Sequence, residues 1–566
     1  MRTSRLVALM AVAGAVTLAA CSGGEPAAGG PPGHRAAAVK AFDINPVDRA
    51  RVKDGGTLHW GIGQYPAQWN VHHVDGGLID AKNVVDALMP TPFRSDEKAV
   101  VSANPDYLLG AEVTATTPRQ VVTLTLNPKA HWSDGRAITW QDYQAQWKAM
   151  NGAADGFRAG STTGYRDIAS VARGKDDFEV VITFANRFGD WQSLFTPLYP
   201  RSTNGSAETF NRGWVNRIPV TAGPFRFQAL DRTAKTVTLV RDPAWWGERA
   251  KLDRIVFRAM DADALVGAFA NGEIDTFDIG PSAPGYARSK ATRGAVVRRA
   301  AGPDFRHITM NGQSAVLADA GVRQAIAMAI NRRAIAESDL RGLDWPVTLL
   351  DNHFLMNTHE GYEGGAGRVG DHDPERARAA LDAAGWKLKG QTRVKDGKEL
   401  NLRFVMPAGS QLTKSEGELV QHMLIRLGVK VTLQAVPADD YFPKYIIPGN
   451  YDITAFSYLG TPYPVSSGYG TYADATTDAK GARQWNANVA RIGSPEIDLA
   501  MQRATEELDA GKARQATILA DRLIWDEVNV LPLYQRPQIV ATKAALANMG
   551  ARGFYDLRYQ DIGFTS

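Results

Sequence analysis

Two hydrophobic periods interleave along this chain. Residues 121–126 (VVTLTL) alternate, with Val122, Leu124 and Leu126 on one face and Thr123 and Thr125 on the other, which predicts a strand. Ser133-Asp134-Gly135 supplies a turn, and a helix is expected from Thr139, an N-cap with Asp142 in the capping-box position. Trp140, Tyr143, Trp147 and Met150 then share one helical face. Further strands are predicted at 178–184 (FEVVITF), 305–310 (FRHITM), 400–407 (LNLRFVMP) and 429–436 (VKVTLQAV). Asp319 caps an expected helix running through ADAGVRQAIAMAINRRAI, with Val322, Ile326 and Ile330 as its core stripe and Arg323, Arg332 and Arg333 in solvent. Asp373, Pro374 and Gly385 punctuate another helix. Helices are also expected over 414–427 and 495–509, the latter with Ile497, Met501, Ala504 and Leu508 on one face. Strands alternating with helices predict an α/β protein, and no internal repeat is evident.

Length changes the picture: 566 residues exceed one ordinary core, so two or more lobes are expected. Charged residues (22%) and hydrophobic ones (44%) are ordinary for a globular protein. A formal net charge of +4 without a dense Lys/Arg run argues against a nucleic-acid partner. The N-terminus is more specific. Arg2 and Arg5 precede the apolar run 6–20, and Leu18-Ala19-Ala20-Cys21-Ser22-Gly23 resembles a bacterial lipobox. Residues 1–20 are expected to be a signal peptide and Cys21, the sole cysteine, a lipid attachment site. Two acyl chains on Cys21 would anchor the protein outside the cytoplasmic membrane without spanning it. Residues 21–51, rich in Gly, Ala and Pro, read as a flexible tether. Removing 1–20 takes two arginines and no acid, so +4 becomes +2.

Catalytic patterns are scarce. There is no Gly-x-Ser-x-Gly elbow, phosphate-binding loop or His-Glu-x-x-His motif, and Ser95-Asp96-Glu97-Lys98 has no companion motif. Adjacent His72 and His73 have no neighbouring ligand cluster, so no metal and no cofactor are expected. The chain reads as a non-enzyme.

Several ordered motifs carry a resemblance. Leu126, Asn127, His131, Trp132, Ser133, Asp134, Gly135, Asp142 and Trp147 resemble the strand–turn–helix of the family 5 solute-binding proteins, receptors of peptide- and nickel-type ABC importers. Pro219 to Phe227, around Gly223 and Pro224, is similar to that family's turn into a strand, and 239–258, around Trp246 and Gly247, is a close match. So are Gly272-Glu273-Ile274-Asp275, the stretch from Asp373 to Trp386, Tyr451-Asp452-Ile453 and Val530 to Tyr534. The resemblance implies a two-lobed periplasmic-binding-protein-like fold (class II type) with an extra N-terminal subdomain and a hinge of crossing strands. Lobe I would hold 52–305 and 531–566, with the subdomain at about 90–215, and lobe II 306–530.

Function then follows as an expectation: a monomeric lipoprotein captures a small solute, a peptide first of all, and delivers it to an ABC permease and its ATPase. In the family the loop after the first strand lies at the cleft mouth, which makes Tyr65, Gln68, Trp69 and Asn70 ligand candidates. Tyr458, Tyr463, Trp345, Trp485 and Asn486 are the others. Family peptide receptors hold the ligand's α-amine with an Asp near 457–464, and this chain has none there. A receptor for a glycan, glycolipid or other bulky solute, or a non-transport accessory or regulatory lipoprotein of envelope assembly, are the alternatives.

Overall fold

A computed structural model describes residues 39–478 and 481–565. Cys21, the expected signal peptide and tether residues 21–38 lie outside the described residues. Residues 39–51, placed in the tether by composition, are seated on the body: Asp43 N donates to Ala551 O at 2.6 Å, Ala301 N donates to Lys40 O at 2.8 Å, and Ile44 is buried. No described helix is long and apolar enough to cross a membrane.

One ten-stranded mixed sheet runs through the molecule. Its centre is two long antiparallel strands, Ala295–Met310 and Val530–Lys543. Beyond the first lie Ile453–Leu459, Asn401–Pro407 and Lys430–Val436; beyond the second lie Thr276–Asp278, Thr57–Ile62, Arg254–Ala259, Thr236–Arg241 and Phe225–Asp231. Two large apolar cores flank this frame. The first gathers residues from Ile44 to Ala259 together with Leu546 to Ile562; the second gathers Leu265 to Ala541. Residues 265–286, assigned from sequence to lobe I, contribute apolar side chains to the second core, while their strand Thr276–Asp278 pairs with Trp60 and Val530–Lys543.

A separate antiparallel sheet of Leu108–Ala115, Val121–Leu126, Glu179–Phe184 and Ile168–Arg173 packs under helix Trp140–Met150. The expected capping box forms, with Thr139 N donating to Asp142 Oδ2 at 3.0 Å. Gly135 takes φ +86°, as the turn requires. Ser133 N donates to Thr221 O at 2.7 Å and Thr221 N returns to Ser133 Oγ at 3.0 Å, tying this unit to the Gly223-Pro224 turn. A side chain on Gly223 would sit 2.5 Å from Ala87 O, so only glycine passes there. Trp132 is fully buried, and Trp246 Nε1 donates to Asp106 O at 2.6 Å beside Gly247. Asp134 pairs with Arg136 at 2.7 Å. These eight family-like residues lie in and around this strand–turn–helix unit.

Three sequence expectations change. The helix expected over 318–335 is two, Ala320–Ala329 and Arg332–Asp339, because the Asn331 side chain accepts Ala334 N and starts the second. Arg323 and Arg332 are not in solvent: both are buried, and only Arg333 is exposed. Arg323 donates to Leu317 O, Ala318 O and Glu527, and Arg332 to Leu350 O, Pro532 O, Gly370 O and Asp351. Their partners come from chain ends 5 to 204 residues away, which helical periodicity does not reveal. Helix Pro495–Glu506 also stops before Leu508.

Candidate functional site

A cavity of about 590 Å³ opens between the first core and the loop that follows strand Ile453–Leu459, which leaves the second core's side of the sheet. Val71, His72, Phe93, Arg94, Ser95 and Leu194 line it from the first core, and Leu459 to Tyr463, Ser466 and Ser467 from the loop after strand Ile453–Leu459. Pro303, in the crossing strand, and the C-terminal run Arg552 to Asp556 complete the wall. That run passes close to the frame because Gly553, at φ +54°, has no side chain; a Cβ would lie 2.5 Å from Ala41 O.

The loop of the second core is held by its own hydroxyls. Tyr463 N donates to Thr461 Oγ1 at 3.0 Å, and Ser467 Oγ donates to Tyr463 O at 2.8 Å. Burial raises the Tyr463 phenol well above its usual range, with Asp190 and Asp556 nearby adding to the shift. On the other side His72 Nε2 lies 2.7 Å from Pro197 O, and burial lowers its pKa, so the imidazole is neutral at pH 7. Lys82 also lines the cavity and pairs with Asp86 at 2.6 Å. Asp556 Oδ2 accepts Ser95 N at 2.9 Å, and Asp556 N returns to Ser95 O at 3.0 Å.

At the rim the two sides touch. Gly189 N donates to Thr505 O at 2.6 Å, and the Asp190 carboxyl lies against Ser466. Burial pushes the Asp190 carboxyl up to about 6, and Ser466 offsets part of that rise.

Of the nine ligand candidates read from sequence, Tyr463 lines the cavity. Gln68, Trp69 and Asn70 are buried beneath it: Gln68 Nε2 donates to Asn211 O at 3.0 Å and Asn70 Nδ2 to Phe210 O at 3.2 Å. The residues that follow them, Val71 and His72, face the cavity instead. Tyr65 packs on the first core and Trp345 on the second. Tyr458 stacks on His307, with ring centroids 4.2 Å apart. Trp485 lies under the Arg483 guanidinium at 4.7 Å, and Asn486 is exposed in the same hairpin. Sequence reasoning did not single out Lys82, Arg94, Asp190 or Arg552 to Asp556. Among the described residues no group of three His, Cys, Asp or Glu is placed to hold a metal ion.

The family model described as bacterial extracellular solute-binding proteins, family 5 Middle, matches residues 104–480. This chain belongs to that family. The family 5 protein is 38% identical over 534 residues to the oligopeptide-binding protein OppA of Mycobacterium tuberculosis, covering 94% of this chain and 88% of the relative. It is 27% identical over 300 residues, 51% of this chain and 45% of the relative, to the probable monoacyl phosphatidylinositol tetramannoside-binding protein LpqW of the same organism. Among solved structures, the periplasmic EDTA-binding protein EppA superposes with a TM-score of 0.83 at 22% identity, covering 94% of this chain and 99% of that one. The oligopeptide-binding protein AppA of Bacillus subtilis, in complex with a nonapeptide, gives 0.70 at 18% identity, covering 91% of this chain and 100% of that one. These likenesses establish the periplasmic-binding-protein fold, in a family of solute binders and not of enzymes.

Proposed function

We propose that this family 5 protein is the receptor of an ABC importer, taking an oligopeptide into its cavity and handing it to a membrane permease. One observation carries the reading: a cavity of about 590 Å³ lined by the first core on one side and by the 459–467 loop on the other, in a chain 38% identical along 94% of its length to an oligopeptide-binding protein. Lobe I would comprise 52–305 and 531–566, and lobe II 306–530, swinging about the strands Ala295–Met310 and Val530–Lys543. A ligand that touches both lobes favours closure, because only the closed state offers it both sets of contacts. The protein would act as a monomer without catalysis, tethered through a diacylated Cys21, on the strength of the lipobox-like Leu18 to Cys21.

The glycan or glycolipid reading draws on the partial likeness to LpqW. Trp69, Trp345 and Trp485 are not in the cavity lining, which draws aromatic faces from Phe93, Tyr463, Phe554 and Tyr555 instead, and the longer likeness to the oligopeptide-binding protein favours peptide. Native mass spectrometry of the purified protein, followed by thermal-shift screening against peptides and oligosaccharides, tests the proposal. A peptide at 100 times its Kd stabilises by about 2.7 kcal/mol. Peptides raising the melting temperature is the expected result; oligosaccharides alone raising it sinks the peptide reading.

A further inference from the structure

Arg94 stands apart from the other shielded arginines of this protein. Arg306 donates to Glu416, Thr413 and Ala455 O; Arg393 donates to Leu427 O, Trp386 O and Asp382; Arg323 and Arg332 are bonded as richly. That is the ordinary rule, because a shielded guanidinium without acceptors is costly. The Arg94 side chain is only 19% exposed, yet its nearest carboxylate is Asp106 at 3.5 Å, outside hydrogen-bond geometry. Among the described residues none of its five N–H donors makes a hydrogen bond to a protein acceptor, the Asp106 carboxylate being an ion-pair contact only. They are not sealed in apolar surroundings: Arg94 lines the cavity, on the short strand Phe93–Ser95 that pairs with Val101–Ala103. The strand fixes the base of the side chain, and Ser95 is locked in turn by its two bonds to Asp556.

The surroundings select a sign. Lys82, Arg94 and Arg552 line the cavity against the single carboxylate Asp556, while Asp106, and Asp86 beyond Lys82, are not among the cavity's lining residues. Lys82 spends one of its donors on Asp86 at 2.6 Å and remains 42% exposed. Arg552 is braced by Asn83 at 3.2 Å and lies 4.0 Å from Asp86, the carboxylate that Lys82 also meets.

We infer that Arg94, seconded by Lys82, is the seat of a carboxylate carried by the ligand. A guanidinium with its fork unoccupied accepts a carboxylate through two parallel N–H bonds, which fixes orientation as well as charge. The inference rests on the receptor reading; if the solute is a peptide, the group seated there is a free carboxylate of that peptide, the C-terminal one in a peptide without acidic side chains.

Peptides captured by the full chain from a protein digest, identified by mass spectrometry and free of Asp and Glu, are synthesised as free acids and as C-terminal amides. Calorimetry then compares the pairs on the wild-type protein and on Arg94→Gln and Arg94→Lys, with EDTA as a carboxylate probe that is no peptide. Amidation should weaken binding about 10- to 100-fold on the wild type, as loss of a hydrogen-bonded charged group does. On Arg94→Gln the acid should bind no better than the amide, and Arg94→Lys should restore part of the difference. The wild-type acid–amide comparison needs no variant to fold. Equal affinity of acid and amide overturns the inference and leaves the peptide reading intact. Peptides failing while EDTA binds in an Arg94-dependent way keeps the inference and sinks the peptide reading. Binding of no carboxylate-bearing probe overturns both.

Discussion

Among the places where the two sides of this protein meet, the crossing strands and the rim of the cavity are built differently. Along the crossing strands the two sides share a continuous ladder, Ala295–Met310 against Val530–Lys543, with register shifts between Ala301 and Phe305 and between Arg306 and His307. On the side of that ladder proposed as lobe II, Arg306, in the crossing strand itself, grips Glu416 through Nε at 2.6 Å, with both side chains almost wholly buried. Asp339, desolvated beside Glu416 and bonded by Tyr534 at 3.1 Å, has its carboxyl held well above the usual range. At the rim the contact is one backbone bond from Gly189 and the Asp190–Ser466 pair. Breaking the first region means stripping a β-ladder and a buried ion pair; breaking the second means parting a few hydrogen bonds that water can replace. A receptor that opens and closes needs that asymmetry, with a joint that persists and a mouth that releases.

The largest expected effect lies at the joint. Glu416→Ala leaves the Arg306 guanidinium buried without its anion and should cost about 3–5 kcal/mol in denaturant unfolding. A cost near zero would show that the joint does not depend on the pair. At the rim, Gly189→Val places a Cβ within 2.3 Å of Glu507 O, a backbone atom that cannot rotate away. It should hold the mouth ajar and weaken ligand binding roughly tenfold, about 1.4 kcal/mol, with an unfolding midpoint close to wild type. If the midpoint falls as far as in Glu416→Ala, the two regions are not distinct.

A smaller, pH-dependent effect sharpens the same contrast. Asp190, with Tyr463 as its titratable neighbour, is shifted from 3.8 up to about 6 where it docks. Below the lower value both states hold the proton and docking buries no charge. As pH rises through 6 the docked state must bury an anion, so the contact weakens. Ligand affinity should therefore rise several-fold from pH 7 to pH 5, and Asp190→Asn should flatten the profile when both are followed by calorimetry. Smallest of all, Trp485→Ala, away from the cavity lining, should leave binding and stability within about 0.5 kcal/mol. Tyr463→Ala, on the lining, should weaken binding.

What the sequence shows and what it conceals divide along the same line. The scaffold was legible because its rules are local: the alternation at 121–126, the Thr139 box and the Gly135 turn each depend on residues within a few positions. The α/β class follows from that alternation, and the family from its ordered motifs. Arg323 and Arg332 misled because a charge on a helix reads as solvated until distant carbonyls arrive to receive it. The cavity was the least legible part. Its Arg94 and Asp556 are 462 positions apart, brought together by the two hydrogen bonds between Ser95 and Asp556, and 552–556 lies beyond the family-like stretch. The loop 64–73 was placed near the cleft by resemblance, but which of its side chains face inward depends on packing: Trp69 is buried while His72 lines the wall.

The claim that the mouth opens and closes over a solute is tested most directly by a distance across it. Cys21 is the sole cysteine, so a Cys21→Ser protein carrying Lys175→Cys and Lys512→Cys, both exposed, accepts two spin labels, one in the turn between the strands Ile168–Arg173 and Glu179–Phe184 that lead to Gly189 and one on helix Ala510–Glu527, which follows Thr505 and Glu507. Pulsed dipolar spectroscopy without ligand, and then with peptides captured from a digest, should show a long-distance population giving way to a shorter one. Bound peptide, established by mass spectrometry on the same sample, with an unchanged distance distribution would contradict the account.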